Sequence, residues 1–242
     1  MDTIEFYNLF APKRFRRFHC HHFNNEEDGC SHEFYEKYVQ GDLKDSKPDF
    51  NPLAKAVFYD TKHQYEIYSL APVLNITRGI LIKPELLDFI SGYNLAEHCV
   101  YKGIKREFQG IVYDDLIFLY FYRDYSLTID WSNSIYWVLK DGYYNRNEDK
   151  ESMEDYIIED NISFESYEEY NTKQIEYYKT DKTKMLQVKN LKCPDVINYD
   201  MFGFQGFSAG IFVSQKLRRD LEKRKTKGLD FWKNIYFKFL ID

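Results

Sequence analysis

Two stretches decide how this chain is read: GILIKPELLDFI at Gly79–Ile90 and GIFVSQKLRRDL at Gly210–Leu221. Each opens on glycine, runs through three apolar residues and turns into a helical pattern. In the first, Ile80, Leu81 and Ile82 form a short buried strand, and Pro84 occupies the first helical position, where a missing N–H does no harm. Leu86, Phe89, Ile90 and Tyr93 then fall at i, i+3, i+4 and i+7, one helical face. In the second, Ile211, Phe212 and Val213 form the strand and Ser214 is a helix N-cap. Leu217 and Leu221 share a face, and Gly228 reads as the helix stop. Lys102-Gly103-Ile104 reads as the matching stop after the first helix. The shared order of strand, cap and amphipathic helix predicts helices packed on sheets, and two copies are too few for a solenoid.

Outward from these units the chain is rich in strand signals. Ala54–Tyr59 and Tyr65–Leu74 read as short strands. Ile117–Tyr122 is a continuous apolar run, Ser126–Trp131 alternates, and Ile135–Leu139 is apolar again, which together predict an antiparallel meander. Met185–Leu191 and Phe231–Leu240 supply further strands, FGFQGFS at 202–208 reads as a loop, and residues 1–50 read as irregular. The expected fold class is α+β: a mainly antiparallel sheet with a few packed helices. The expected organisation is one continuous domain over 1–242, or two intimate lobes at about 1–140 and 185–242 with an acidic excursion at 141–184.

Composition narrows the function. The chain has 242 residues and a net charge of −6, but residues 148–169 alone hold ten acids against one lysine, −9, so the remainder is +3. A nucleic-acid binder shows a basic patch without such a block. No apolar run approaches the roughly 20 residues of a membrane helix, and the N-terminus lacks signal-peptide order, so a cytoplasmic protein is expected. Aromatic content is 19%, with 22 Tyr, which suits both strands and protein-binding surfaces. Cys20, Cys30, Cys99 and Cys193 lack framework spacing and read as free thiols.

Catalytic patterns are weak. His19, Cys20, His21, His22, Cys30 and His32 are the right residue types for zinc, yet no CxxC or HxxxH spacing brings them to one ion. Ser208 in GFSAG precedes a strand, whereas a nucleophile elbow follows one. Asp114 and Asp115 are adjacent, and nothing in the sequence places them at a cleft. No cofactor is expected. The acidic, tyrosine-rich block is the distinctive feature. It reads as a surface for a basic protein partner through Glu154, Asp155, Tyr156, Glu159, Asp160, Glu165, Tyr167, Glu168, Glu169 and Tyr170.

GIFVSQKLRRDLEKRKTKGLDF (210–231) resembles the C-terminal motif of the bacterial immunity proteins of polymorphic toxin systems, the immunity protein 43 type and its relatives in family 11. Phe212, Val213, Ser214, Leu217, Leu221, Gly228, Leu229 and Phe231 carry the likeness. IDWSNSIYW (129–137) resembles the segment before it through Asp130, Trp131 and Ser134. The resemblance covers about Gly79 to Phe231 and departs from the family in the acidic stretch and the His-rich start. It implies a non-enzymatic cytosolic inhibitor of a cognate protein toxin. The competing readings are a zinc-dependent hydrolase or nuclease-like enzyme using His19–His32, and a structural adaptor.

Overall fold

The computed structural model of the protein describes residues 3–10, 19–20, 34–39, 41–43, 45–54, 56–60, 65–70, 76–140, 156–205, 210–233 and 238–241. Among these, the elements run β1 (Thr3–Ile4), β2 (Phe6–Phe10), β3 (His19–Cys20), β4 (Val57–Asp60), β5 (Ile67–Ser69), β6 (Gly79–Ile82), α1 (Pro84–Ile90), β7 (His98–Phe108), β8 (Ile111–Phe121), β9 (Ile135–Lys140), β10 (Ile157–Ile162), α2 (Tyr167–Thr180), β11 (Lys184–Leu191), β12 (Met201–Phe204), β13 (Gly210–Ser214), α3 (Gln215–Lys223), β14 (Asp230–Lys233) and β15 (Lys238–Leu240). Strand pairing is antiparallel except for β4 with β7 and β11 with β15. The fold is α+β, as the two strand-into-helix units require.

The chain divides into two compact units. One comprises Met1–Glu5, Leu127–Ile197 and Asn234–Asp242. It holds a five-stranded sheet in the order β1-β15-β11-β9-β10, with α2 packed on β11. Residues 156–184, read from sequence as part of an excursion, supply this unit with an edge strand and its helix. The other unit comprises Phe6–Ser126 and Asn198–Lys233. It holds a four-stranded sheet, β12-β13-β2-β14, and a six-stranded sheet, β3-β4-β7-β8-β6-β5. One apolar cluster in it gathers Phe34, Leu53, Phe58, Leu81, Ile104, Phe118 and Tyr120.

Both strand-into-helix units form as their patterns dictate. Pro84 stands at the start of α1, whose Leu86 and Ile90 are buried. Ser214 Oγ accepts a hydrogen bond from Leu217 N at 3.2 Å and donates to Asp200 at 2.6 Å, which fixes the first turn of α3. Such a cap is worth about 1 kcal/mol. The stop of α3 is Lys225 and not Gly228. Lys225 adopts φ 58°, its N–H bonds Glu222 O at 3.0 Å, and Thr226 N bonds Leu221 O at 3.3 Å, a full Schellman closure. Gly228, at φ 85°, instead permits a close approach, since a Cβ there would lie 2.6 Å from Tyr65 Cβ.

Several other expectations give way. Gly103 does not end a helix; it sits in a register shift inside β7 at φ 74°. Ser126–Trp131 is no strand. Tyr125–Thr128 is a 3-10 turn, and Asp130 closes the turn that follows by accepting from Asn133 N at 3.2 Å and Ser132 Oγ at 3.1 Å. The residues alternate, but the Asp130 side chain offers the backbone a local partner that competes with a ladder. The meander therefore fails: β8 and β9 lie in different sheets. Phe202–Phe204 of the expected loop belong to β12, paired with β13. The irregular start contains β2, which pairs with both β13 and β14.

Candidate functional site

The acidic, tyrosine-rich block becomes β10 and α2 where it is described. Ser166 caps α2 by accepting from Glu169 N at 3.3 Å, and the Glu169 carboxylate reaches back to Glu165 N at 2.7 Å. This reciprocal arrangement resembles a capping box, and the negative charges of Glu168 and Glu169 suit the positive end of the helix.

The helix carries aromatic residues on two faces. Tyr170 and Tyr177, seven apart, are buried. Tyr170 packs on Trp131, Tyr136 and Phe164 at centroid distances of 5.6, 5.4 and 5.5 Å. Its hydroxyl donates to Leu186 O at 3.4 Å, and burial pushes its pKa up. On the other face Tyr167, Ile175 and Tyr178 are 55%, 44% and 67% exposed. At 100° per residue their spacings of eight and eleven place them within one sector of about 80°. Tyr167 rests on Trp131 at 5.6 Å, so its ring is held in place at one edge while its other side meets solvent.

The predicted contact residues separate accordingly. Glu154 and Asp155 lie outside the described residues. Tyr156 and Tyr170 are core residues, at 8% and 5% exposure, so neither offers a ring to a partner. Tyr156 packs with Trp137 and Leu139. Glu159 accepts the Tyr177 hydroxyl at 3.0 Å; burial and this bond push Tyr177 up to about 12. Asp160 pairs with Lys189 at 2.6 Å. Burial alone would raise the Asp160 carboxyl, but the Lys189 ammonium outweighs it and holds the carboxyl below its ordinary value. Glu169 serves the cap. Glu165, Tyr167 and Glu168 remain as exposed side chains. Ile175 and Tyr178 are the residues that sequence reading missed. Their helical spacing from Tyr167 was the available signal, hidden because the segment was not resolved into a helix.

The residues that carry the family resemblance are structural. Phe212, Val213, Leu217 and Leu221 are buried, and Ser214 is the cap. Asp130 and Ser134 close a turn in which Ser134 Oγ donates to Asp130 O at 2.6 Å and accepts from Lys192 N at 2.9 Å.

The start of α1, at Lys83–Glu85, and the residues that follow α3, Arg224, Lys225 and Lys227, border an open cleft of about 620 Å³. Asp115, unplaced by sequence, is on its wall. There Lys83 and Arg106 both hold it, Arg106 through two bonds of 2.8 and 2.9 Å. Burial pushes the Asp115 carboxyl up, and these two cations together bring it below its ordinary value. Arg224 pairs with Glu66 at 2.6 Å. Lys225 and Lys227 stand beside them. The cleft lining contains no histidine, cysteine, serine or threonine among the described residues. Paired with both Lys83 and Arg106, the Asp115 carboxylate is held ionised near neutral pH.

His19 and Cys20 are in β3; His22, Cys30 and His32 lie outside the described residues. Among the described residues no group of three or more His, Cys, Asp or Glu side chains is placed to hold a metal, and Cys99 and Cys193 are buried free thiols. No described helix is long and apolar enough to cross a membrane. Compared with protein-family models, curated proteins and solved structures, the chain matches none.

Proposed function

We propose that this chain is a non-enzymatic protein-binding protein, an inhibitor of the immunity-protein kind that docks on a cognate bacterial toxin and covers its active site. The observation that carries the reading is the outer face of α2, where Tyr167, Ile175 and Tyr178 stand exposed along one side of a helix whose other side is packed into the core. Exposed tyrosines anchor protein interfaces because each buries a large area with few rotamers to freeze. Glu165 and Glu168 beside them favour a partner with a basic surface, which raises the encounter rate and fixes orientation. The likeness of Phe212–Phe231 to the immunity-protein motif supplies the partner class. The revised contact set is Glu165, Tyr167, Glu168, Ile175 and Tyr178, with Tyr156 and Tyr170 removed because they are buried.

The test is photo-crosslinking in the native host from benzoyl-phenylalanine placed at Tyr178, with the exposed Glu222 as control position. A toxin-type protein crosslinking from 178 and not from 222 is expected. Its purified activity falls to background with stoichiometric inhibitor, and the double variant Tyr167→Ala/Tyr178→Ala binds about 100-fold more weakly, two anchors of about 1–2 kcal/mol each. Equal inhibition by the double variant would refute the assigned surface. Stoichiometric zinc in the purified protein would favour the hydrolase reading instead.

A further inference from the structure

The cleft lined by Lys83, Glu85, Asp115 and Arg224 holds its charges in two different ways. Two of its acids are matched. Asp115 is paired with Lys83 and Arg106. Glu66 pairs with Arg224 Nη1 at 2.6 Å and accepts from Lys227 N at 2.9 Å. These pairs leave donors over, because an ammonium carries three N–H groups and a guanidinium five. Lys83 Nζ meets Asp115, and Arg224 Nη1 meets Glu66 and Thr226. The other three charges of the lining, Lys225, Lys227 and Glu85, are exposed. Among the described residues none of these three side chains forms a hydrogen bond or an ion pair.

A solvated lysine ordinarily needs no account. Lys225 does, because it stands at φ 58°, the left-handed conformation that disfavours a side chain. Glycine would close α3 there at less cost. The helix end does not need the ammonium either, since Leu221 O and Glu222 O are taken by Thr226 N and Lys225 N. A side chain kept at a strained position is a mark of function where it lines a site. Lys225 lines a cleft of about 620 Å³, the size of a small-molecule site. We infer that this cleft binds a small hydroxylated phosphomonoester, of the sugar-phosphate kind. Lys225 and Lys227 take the phosphate dianion as unpaired point charges, and Lys83 and Arg224 add their remaining donors. Glu85, the unpaired carboxylate, accepts from hydroxyl groups at the ligand's other end. It also repels a second anionic group, which selects against polyphosphates and nucleic acid. Tyr65 is the only aromatic ring among the described lining residues and packs edge-on with Tyr68 at 6.2 Å, so the cleft offers a base no pair of rings. All these residues belong to one compact unit and α2 to the other, so the site does not rest on the reading of α2.

The probe is glucose-6-phosphate, titrated into the full chain and expected to bind with a Kd of about 1 mM, the weak end of the scale that suits an open cleft. Binding is followed by calorimetry and by the amide chemical shifts of Glu85, Lys225 and Lys227. Inorganic phosphate and glucose, the two halves of the probe, each bind more weakly than the whole. Lys225→Gly removes charge and strain together: the variant unfolds at higher urea and binds the hexose phosphate about threefold more weakly, a combination that damage to the fold cannot produce. Lys225→Gln/Lys227→Gln weakens binding about tenfold. Glu85→Ala separates the two halves, tightening inorganic phosphate and weakening the hexose phosphate. Absence of saturable binding, or affinity unchanged by Lys225→Gly and by the double variant, overturns the proposal. Equal affinity for inorganic phosphate and the hexose phosphate overturns the assigned ligand class. Displacement of the hexose phosphate by a short single-stranded oligonucleotide at lower concentration overturns it in favour of nucleic acid.

Discussion

At the scale of single residues, Lys225 and Gly228 invert the roles that their chemistry suggests. The lysine holds the left-handed position that closes α3, and the glycine serves a close approach to Tyr65. A left-handed conformation costs a non-glycine residue about 1–2 kcal/mol, and glycine's freer unfolded chain takes back roughly 0.4–1 kcal/mol. Lys225→Gly is therefore expected to stabilise the protein by up to about 1 kcal/mol. Gly228→Ala adds a Cβ at 2.6 Å from Tyr65 Cβ and 2.8 Å from Ile67 O, and is expected to destabilise by about 1–3 kcal/mol. Urea midpoints of the two variants moving in opposite directions would confirm the assignment; parallel shifts would reject it.

At the scale of elements, α2 separates packing from exposure within one turn. Tyr170→Ala opens a cavity among Trp131, Tyr136 and Phe164 and is expected to cost about 3–5 kcal/mol. Tyr178→Ala is expected to change stability by less than about 0.5 kcal/mol. Urea unfolding followed by tryptophan fluorescence distinguishes them, since Trp131 lies against Tyr170. This division was only half legible in sequence. The strand-into-helix units could be read because the first-turn residue, Pro84 or Ser214, and the apolar spacing agree at each, although the glycines read as stops, Gly103 and Gly228, do not end the helices. In α2 the same side-chain type, tyrosine, faces both ways, so composition could not say which copies are buried. β2 was illegible for a related reason: Phe6, Tyr7 and Leu9 are all buried, so no alternation marks the strand, and buried Asn8 interrupts the apolar run. Strand pairing was the largest loss. Ile117–Tyr122 and Ile135–Leu139 were both recognisable as strands, yet nothing local says that they join different sheets.

At the scale of the whole molecule, neither unit is continuous in sequence. The sheet of β1, β15, β11, β9 and β10 places Lys238–Leu240 between Thr3–Ile4 and Lys184–Leu191. Truncation after Lys233 removes β15, and β1 loses its pairing with Phe239 and Leu240. The truncated chain is expected to show faster proteolysis within residues 127–197, with residues 198–233 affected less. Equal protection of 127–197 in both forms would show that β15 is dispensable.

The same insertion governs how the protein is made. A ribosome delivers Thr3 long before Leu240, and the pairing Thr3↔Leu240 cannot form until residue 240 has emerged. Until then β11 has an open side, and the first strand waits without its neighbour. Assembly of this sheet is completed only after synthesis has passed residue 240, with the loop-closure entropy of a long-range contact to overcome. If α2 is the inhibitory surface, its helix is synthesised well before its sheet is complete, so protection against a toxin would lag translation by the time this last strand takes to insert.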